Sequence, residues 1–408
     1  MAWHYRLRCF NCHTEYLPQT TNHACRKCGG LLEISFDISS KKIPWKNRSP
    51  GVWKYREILP LDDDRFITSL YEGGTGLHHC QRLGRELGLK NLYVKNEGEN
   101  PTGSFKDRGM TVAVSKAREL RKRRMVCAST GNTAASLAAY SAKAGLECIV
   151  FVPAGKVARG KMLQVIIHGA RIFQVNGDFD QAMTSVIELT EHRKGLYLMN
   201  SLNPFRLEGQ KTLAFEVCDQ LTNKAPDAIV LPVGNGGNIS AIWKGFSEFH
   251  DLGIVTKRPR MIGIQAEKSA PIALAVKSGK NRITPVASPQ TLATAIRIGS
   301  PVNWAKVLQA IKESEGSAET VSDREILEAQ KELAAKEGLF VEPASAASIA
   351  GLRKMSESGG IDRSEVIVCV TTGHGLKDPS VANRLRQPES YDLKITEPHW
   401  IERLEQVL

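Results

Sequence analysis

The chain has 408 residues, 42% of them hydrophobic and 24% charged, with a formal excess of 12 positive charges at pH 7. That length excludes a single small core and implies two sizeable lobes, with or without a further module. No apolar run approaches the roughly 18 residues that a membrane-crossing helix needs, and the N-terminus leads into a cysteine pair without an apolar leader, so a water-soluble protein of the cytoplasm, with no membrane partner, is expected.

Cys9-x-x-Cys12 is followed, after twelve residues, by Cys25-x-x-Cys28 and Gly29-Gly30. Two such knuckles at this spacing complete a closed Cys₄ site, the pattern of a structural zinc ribbon in which a segment with little core depends on metal for its fold. His13 and His23 lie nearby but are unnecessary once four thiolates are present. The other five cysteines, Cys80, Cys127, Cys148, Cys218 and Cys369, are scattered singly and read as small core residues rather than a disulfide framework. Lysines and prolines from Lys41 to Pro60 read as a linker, with a short helical piece over Trp53 to Leu59. Tyr71-Glu72-Gly73-Gly74-Thr75-Gly76-Leu77 is a glycine-rich turn, weak evidence alone.

Asn100-Pro101-Thr102-Gly103-Ser104-Phe105-Lys106-Asp107-Arg108-Gly109 follows a short apolar run at Leu92 to Val94 and opens a helix over Lys106 to Leu120. The turn dipeptides deliver Lys106 to a helix N-terminus, whose positive end favours a neutral amine, as a Schiff-base lysine requires. The basic run Arg121-Lys122-Arg123-Arg124 suits nucleic acid, and a zinc-ribbon nucleic-acid-binding protein is the reading from a different class. The run fits a solvated helix end better, and no base-reading motif accompanies the ribbon.

From here to about residue 375, short apolar runs alternate with helix-length stretches. Strands are expected at Met125 to Ala128, Cys148 to Val152, Arg171 to Val175, Leu196 to Met199, Ala228 to Val233, Met261 to Gln265 and Val366 to Val370. Such alternation implies parallel strands joined by right-handed crossovers, an α/β fold with a doubly wound sheet in each lobe, and ligands beyond the carboxyl ends of the strands. Ser129-Thr130-Gly131-Asn132-Thr133 follows one strand and opens a small-residue helix, making an anion cradle of hydroxyls and first-turn N–H groups. After the strand Leu196 to Met199, Ser201 and Arg206 in Asn200-Ser201-Leu202-Asn203-Pro204-Phe205-Arg206 offer a hydroxyl and a guanidinium for a substrate phosphate, although a surface ion pair would also account for the arginine. Gly234, Asn235, Gly236, Gly237 and Asn238, between a strand and a helix, read as a phosphate loop, although a plain strand-to-helix turn would also account for the glycines. Glu342-Pro343-Ala344-Ser345-Ala346-Ala347-Ser348 opens a helix with a packing role, and His374 in Thr371-Thr372-Gly373-His374-Gly375 reads as a loop-packing residue. The segment through Trp400 to Leu408 is a docking helix or tail.

Asn-Pro-Thr-Gly-Ser-Phe-Lys-Asp-Arg at Asn100 to Arg108 resembles the cofactor-lysine motif of the fold-type II (tryptophan synthase β-like) pyridoxal-phosphate enzymes. Together with the four later segments, it is most similar to the threonine synthase family. The resemblance implies Lys106 as cofactor and catalytic lysine. It places Asn132 on the cofactor's ring hydroxyl, the glycine-rich loop on the cofactor phosphate and Thr372 on the pyridine nitrogen, where a neutral hydroxyl moderates the electron sink. It further implies Ser129, Thr130 and Thr133 at the substrate's α-carboxylate, Ser201 and Arg206 at the phosphate of O-phospho-L-homoserine, and a homodimer. A cysteate synthase type acting on phosphoserine and threonine dehydratase are the alternatives within the class. The expected organisation is a zinc-ribbon-like module over 1–40, a linker over 41–68, a pyridoxal-phosphate-dependent catalytic domain over 69–390 with its smaller lobe at about 110–200, and a tail over 391–408.

Overall fold

In the computed structural model the described residues are 5–21, 23–37, 45, 47–154, 159–177, 179–193 and 195–379; the tail expected at 391–408 and part of the linker lie outside them. The N-terminal module is a three-stranded antiparallel sheet in the order β2-β1-β3, formed by β1 (Tyr5–Cys9), β2 (Glu15–Tyr16) and β3 (Leu32–Phe36). Alternation along β1 buries Tyr5, Leu7 and Cys9 on one face. The piece expected to be helical near Trp53 is a 3₁₀ helix, Val52–Ile58, interrupted by the non-helical backbone of Tyr55.

Two further sheets follow. The six-stranded one contains β4 (Leu77–His79) and β5 (Asn91–Asn96), then, after the four strands of the smaller sheet, β10 (Ala228–Pro232), β11 (Arg260–Ala266), β12 (Ser317–Val321) and β13 (Val366–Thr371), in the order β12-β11-β10-β13-β5-β4. The smaller sheet holds β6 (Arg124–Ala128), β7 (Glu147–Pro153), β8 (Arg171–Val175) and β9 (Leu196–Leu198), in the order β8-β7-β6-β9. All the pairings in these two sheets are parallel except that of β4 with β5. The antiparallel β4 is a three-residue edge strand that no apolar run announced, and it leaves the parallel α/β frame intact. β5, β6, β9, β10 and β13 each run into one of the motif segments, so the motifs collect at carboxyl ends of strands.

Both large sheets are covered by helices and their central strands are almost wholly apolar; β10, for example, is buried at all five positions. The ribbon shares a core with the smaller sheet: Leu7, Cys9, Cys25, Leu32 and Ile34 pack in one cluster with Met110, Val112 and Val114 of the helix that starts at Lys106. Lysines of the body also reach into the ribbon. Lys244 donates to the carbonyl of Ile34 at 2.5 Å, Lys306 to that of Leu32 at 3.4 Å, and Lys116 to the Tyr5 hydroxyl at 2.5 Å. Lys211 lies 4.3 Å from the centre of the Phe36 ring while pairing with Glu208 and Glu248 at 2.6 and 2.7 Å.

Candidate active site

Lys106 is the first residue of the helix Lys106–Glu119. The turn before it is held by Asp107, which accepts from the Thr102 amide at 2.7 Å, the Thr102 hydroxyl at 2.6 Å and the Ser136 hydroxyl at 2.5 Å. Arg108 is fully buried and braces the same turn. Its guanidinium donates to Glu97 at 2.5 and 2.8 Å and to both carboxylate oxygens of Glu216 at 2.7 Å, and Lys95 pairs with Glu216 at 2.9 Å. Two cations and two carboxylates thus balance inside the core, at the cost of desolvation that only complete pairing offsets.

The helix Pro204–Gln220 crosses the lysine helix at a pair of glycines. A Cβ on Gly109 would lie 2.8 Å from the Arg206 carbonyl oxygen, and one on Gly209 would overlap the Arg108 carbonyl oxygen. Backbone approach this close requires hydrogen at both positions. Its consequence is that Lys106 and Arg206, each three residues before its glycine, enter one field. The Lys106 amine is pushed down to about 7 by burial and by the Arg206 guanidinium, against the opposing pull of Glu342.

Arg206 is 1% exposed, and its side chain donates to the Met199 carbonyl at 3.1 Å while its Nε has no partner within the chain. No carboxylate pairs with it among the described residues, and burial pulls it down to about 10. A surface ion pair is therefore ruled out for this arginine, and a buried guanidinium with an unused donor is suited to an anionic ligand.

At the end of β6, Ser129 accepts from the Gly131 amide at 3.2 Å and Gly131 is the N-cap of the helix Asn132–Ala144, with no side chain capping it. Neither Ser129 nor Thr130 is thus spent as an ordinary cap, and Ser129, Thr130 and Thr133 are all half-buried at that helix end. Ser201 is likewise half-buried, beyond β9. At the end of β10, Gly234 and Asn235 lead into Gly236, the left-handed N-cap of the helix Gly237–Asp251, again without a side-chain cap. Asn235 is held by the Asn303 amide at 3.0 Å, and the Asn238 side chain is buried with neither its oxygen nor its nitrogen partnered. A Cβ on Gly237 would fall 3.9 Å from Gln210, one turn along the helix from Arg206, so this loop borders the same space. At the end of β13, the Thr372 hydroxyl lies 3.0 Å from that of Ser345 and 3.5 Å from Glu342.

The sequence reading missed Glu342 and Ser345 as site residues. Both lie in a Glu-Pro-Ala-Ser stretch that looks like a helix start, yet the Glu342 carboxylate receives Asn132 Nδ2 at 3.1 and 3.3 Å. His374 does pack: it accepts from the Leu376 amide at 3.1 Å and its ring meets Phe340 edge-on at 5.7 Å.

In the ribbon, the sulfurs of Cys9, Cys12, Cys25 and Cys28 lie within 4.8 Å of one another, with Cys9–Cys28 at 3.5 Å and Cys12–Cys25 at 3.6 Å. Tetrahedral thiolates around zinc stand about 3.8 Å apart. His13 is exposed, and His23 packs its ring 5.3 Å from Tyr197, so neither joins the cluster.

The buried amine, the unpaired guanidinium, the unsatisfied Asn238 and two uncapped helix N-termini fit a phosphorylated carbonyl cofactor and an anionic substrate. Comparison with known proteins agrees. Residues 68–373 match the family of pyridoxal-phosphate dependent enzymes. The chain is 57% identical to the threonine synthase of Methanocaldococcus jannaschii, over 92% of this chain and 94% of that protein. It is 55% identical to the threonine synthase of Methanosarcina acetivorans, over 96% and 97%. Among solved structures, threonine deaminase isoform 2 of Solanum lycopersicum superposes with a TM-score of 0.65 at 24% identity, covering 76% of this chain and 86% of that one. Maize serine racemase gives 0.65 at 21%, covering 82% and 93%. These two likenesses concern the fold.

Proposed function

Since the chain belongs to the pyridoxal-phosphate-dependent enzymes and, within them, to the threonine synthases, we propose that its site converts O-phospho-L-homoserine and water to L-threonine and phosphate. The observation that carries the substrate is Arg206, a buried cation without a carboxylate, in the field of a lysine whose amine is pulled down to about 7.

When bound, pyridoxal phosphate supplies an aldehyde that an amine can capture and a ring that withdraws electrons from the substrate's α carbon. Lys106 would hold it by the aldehyde, Gly234 to Asn238 by the phosphate, Asn132 by the ring hydroxyl and Thr372 at the ring nitrogen. The hydroxyls of Ser129, Thr130 and Thr133, with the open helix end beside them, receive the substrate's α-carboxylate. Arg206 and Ser201 take its phosphate. With its amine free, Lys106 would be the base for the α-proton and then a β-proton. Arg206 stabilises the phosphate as it leaves the γ carbon. Protonation at the γ carbon, addition of water at the β carbon and return of the α-proton complete threonine, with Lys106 carrying the protons.

The same reading assigns one structural zinc ion to Cys9, Cys12, Cys25 and Cys28, a smaller lobe to about 110–200 and a homodimeric assembly. No helix among the described residues is long and apolar enough to cross a membrane. Arg206→Ala tests the substrate. Losing charge-assisted bonds worth about 1.5–3 kcal/mol should lower kcat/KM for phosphohomoserine by roughly 10- to 100-fold while the visible absorbance of the lysine-linked cofactor is kept. Unchanged turnover removes Arg206 from the phosphate role.

A further inference from the structure

Glu342 is the N-cap residue of the helix Pro343–Glu357, but its carboxylate makes no capping hydrogen bond. Short polar side chains in that position accept from the first-turn amides of their own helix. Here the carboxylate turns away and is buried, 5% exposed, among three groups from other elements. Both its oxygens take the Asn132 amide nitrogen, at 3.1 and 3.3 Å, from the helix beyond β6. Thr372, beyond β13, approaches at 3.5 Å, and Lys106 is close enough for each charge to shift the other. No cation pairs with Glu342 within 4 Å among the described residues, an arrangement that costs stability and so points to function.

We infer that Glu342 is a positioning residue for the cofactor ring, fixing the Asn132 carboxamide with its N–H edge toward the carboxylate and holding a negative charge beside Lys106. A carboxamide can flip, exchanging donor for acceptor. A carboxylate accepts only, so it selects the orientation in which one Asn132 N–H is held by Glu342 and the second is left for an oxygen of the bound ring. The inference rests on the proposal that this site binds pyridoxal phosphate. The charges facing Glu342 are Lys106 on the lysine helix and Lys377 and Asp378 in the segment after β13; burial raises its carboxyl, both lysines oppose that rise and Asp378 adds to it. Removing the charge should then push the Lys106 amine further down, because burial and Arg206 would act on it without their counterweight.

The test is Glu342→Gln beside the wild type, with three readouts: the midpoint of thermal unfolding, the dissociation constant for pyridoxal phosphate, and the pH dependence of cofactor capture by cofactor-free protein, which reports the Lys106 amine. The expected result is a folded variant that binds the cofactor about tenfold more weakly and whose capture midpoint moves to lower pH. Wild-type affinity together with a wild-type midpoint would overturn the inference. If the variant does not fold, Asn132→Ala and Asn132→Asp replace it: equal affinity losses support an oriented amide, whereas retention by the acidic variant overturns it. Turnover of phosphohomoserine by the wild type is read separately, so failure of the substrate assignment is distinguishable from failure of this inference.

Discussion

Lys106 lies between a cation that lowers its basicity and a carboxylate that raises it. An ordinary lysine titrates near 10.4, so between about 7 and that value the unfolded chain carries a proton that the folded protein lacks. This group's contribution to stability therefore rises with pH across that window and is flat below it. The same depression supplies neutral amine: capture of pyridoxal phosphate by cofactor-free protein should accelerate as pH rises through about 7 and level off above it, which stopped-flow absorbance measures. A phosphate seated on Arg206 would cancel part of the depressing charge. Inorganic phosphate should accordingly move that midpoint upward in the wild type and leave it fixed in Arg206→Ala.

At the scale of elements, the crossing of the lysine and arginine helices brings Lys106 into the field of Arg206. Gly209→Ala drives a methyl group into the Arg108 carbonyl, and separation of the helices should cost about 1–3 kcal/mol or more, read as a lower unfolding midpoint together with weakened phosphate binding. Arg108→Ala should cost about 3–5 kcal/mol, since Glu97 and Glu216 are left buried without their shared partner; denaturant unfolding checks it. Neither contact was legible in the sequence, because Gly109 and Gly209 are a hundred residues apart and nothing local pairs them. The strands around the motifs were legible, because buried parallel strands read as apolar runs, whereas the edge strands β4 and β12 were not. Ser317–Val321 carries Ser, Glu and Thr and resembles a loop, and Leu77–His79 is too short to show a period. The motif segments were found at strand ends for the same reason that the strands were. Glu342 escaped because a glutamate before a proline looks like a helix start, and only the fold shows that its carboxylate turns toward Asn132.

For the whole molecule, the ribbon is part of the catalytic body's packing. It shares a core with the lysine helix and receives Lys244 and Lys306, from helices beside the six-stranded sheet, on its backbone carbonyls. With zinc at the four cysteines, chelation should lower the unfolding midpoint of the entire protein and expose the N-terminal module to protease, rather than release an independent appendage. Giving the cofactor-loaded protein O-phospho-L-homoserine and measuring threonine and phosphate together decides whether the site carries out the proposed reaction. Equal amounts of the two are predicted. Phosphate without threonine, or no turnover by a protein that holds its cofactor normally, would contradict it.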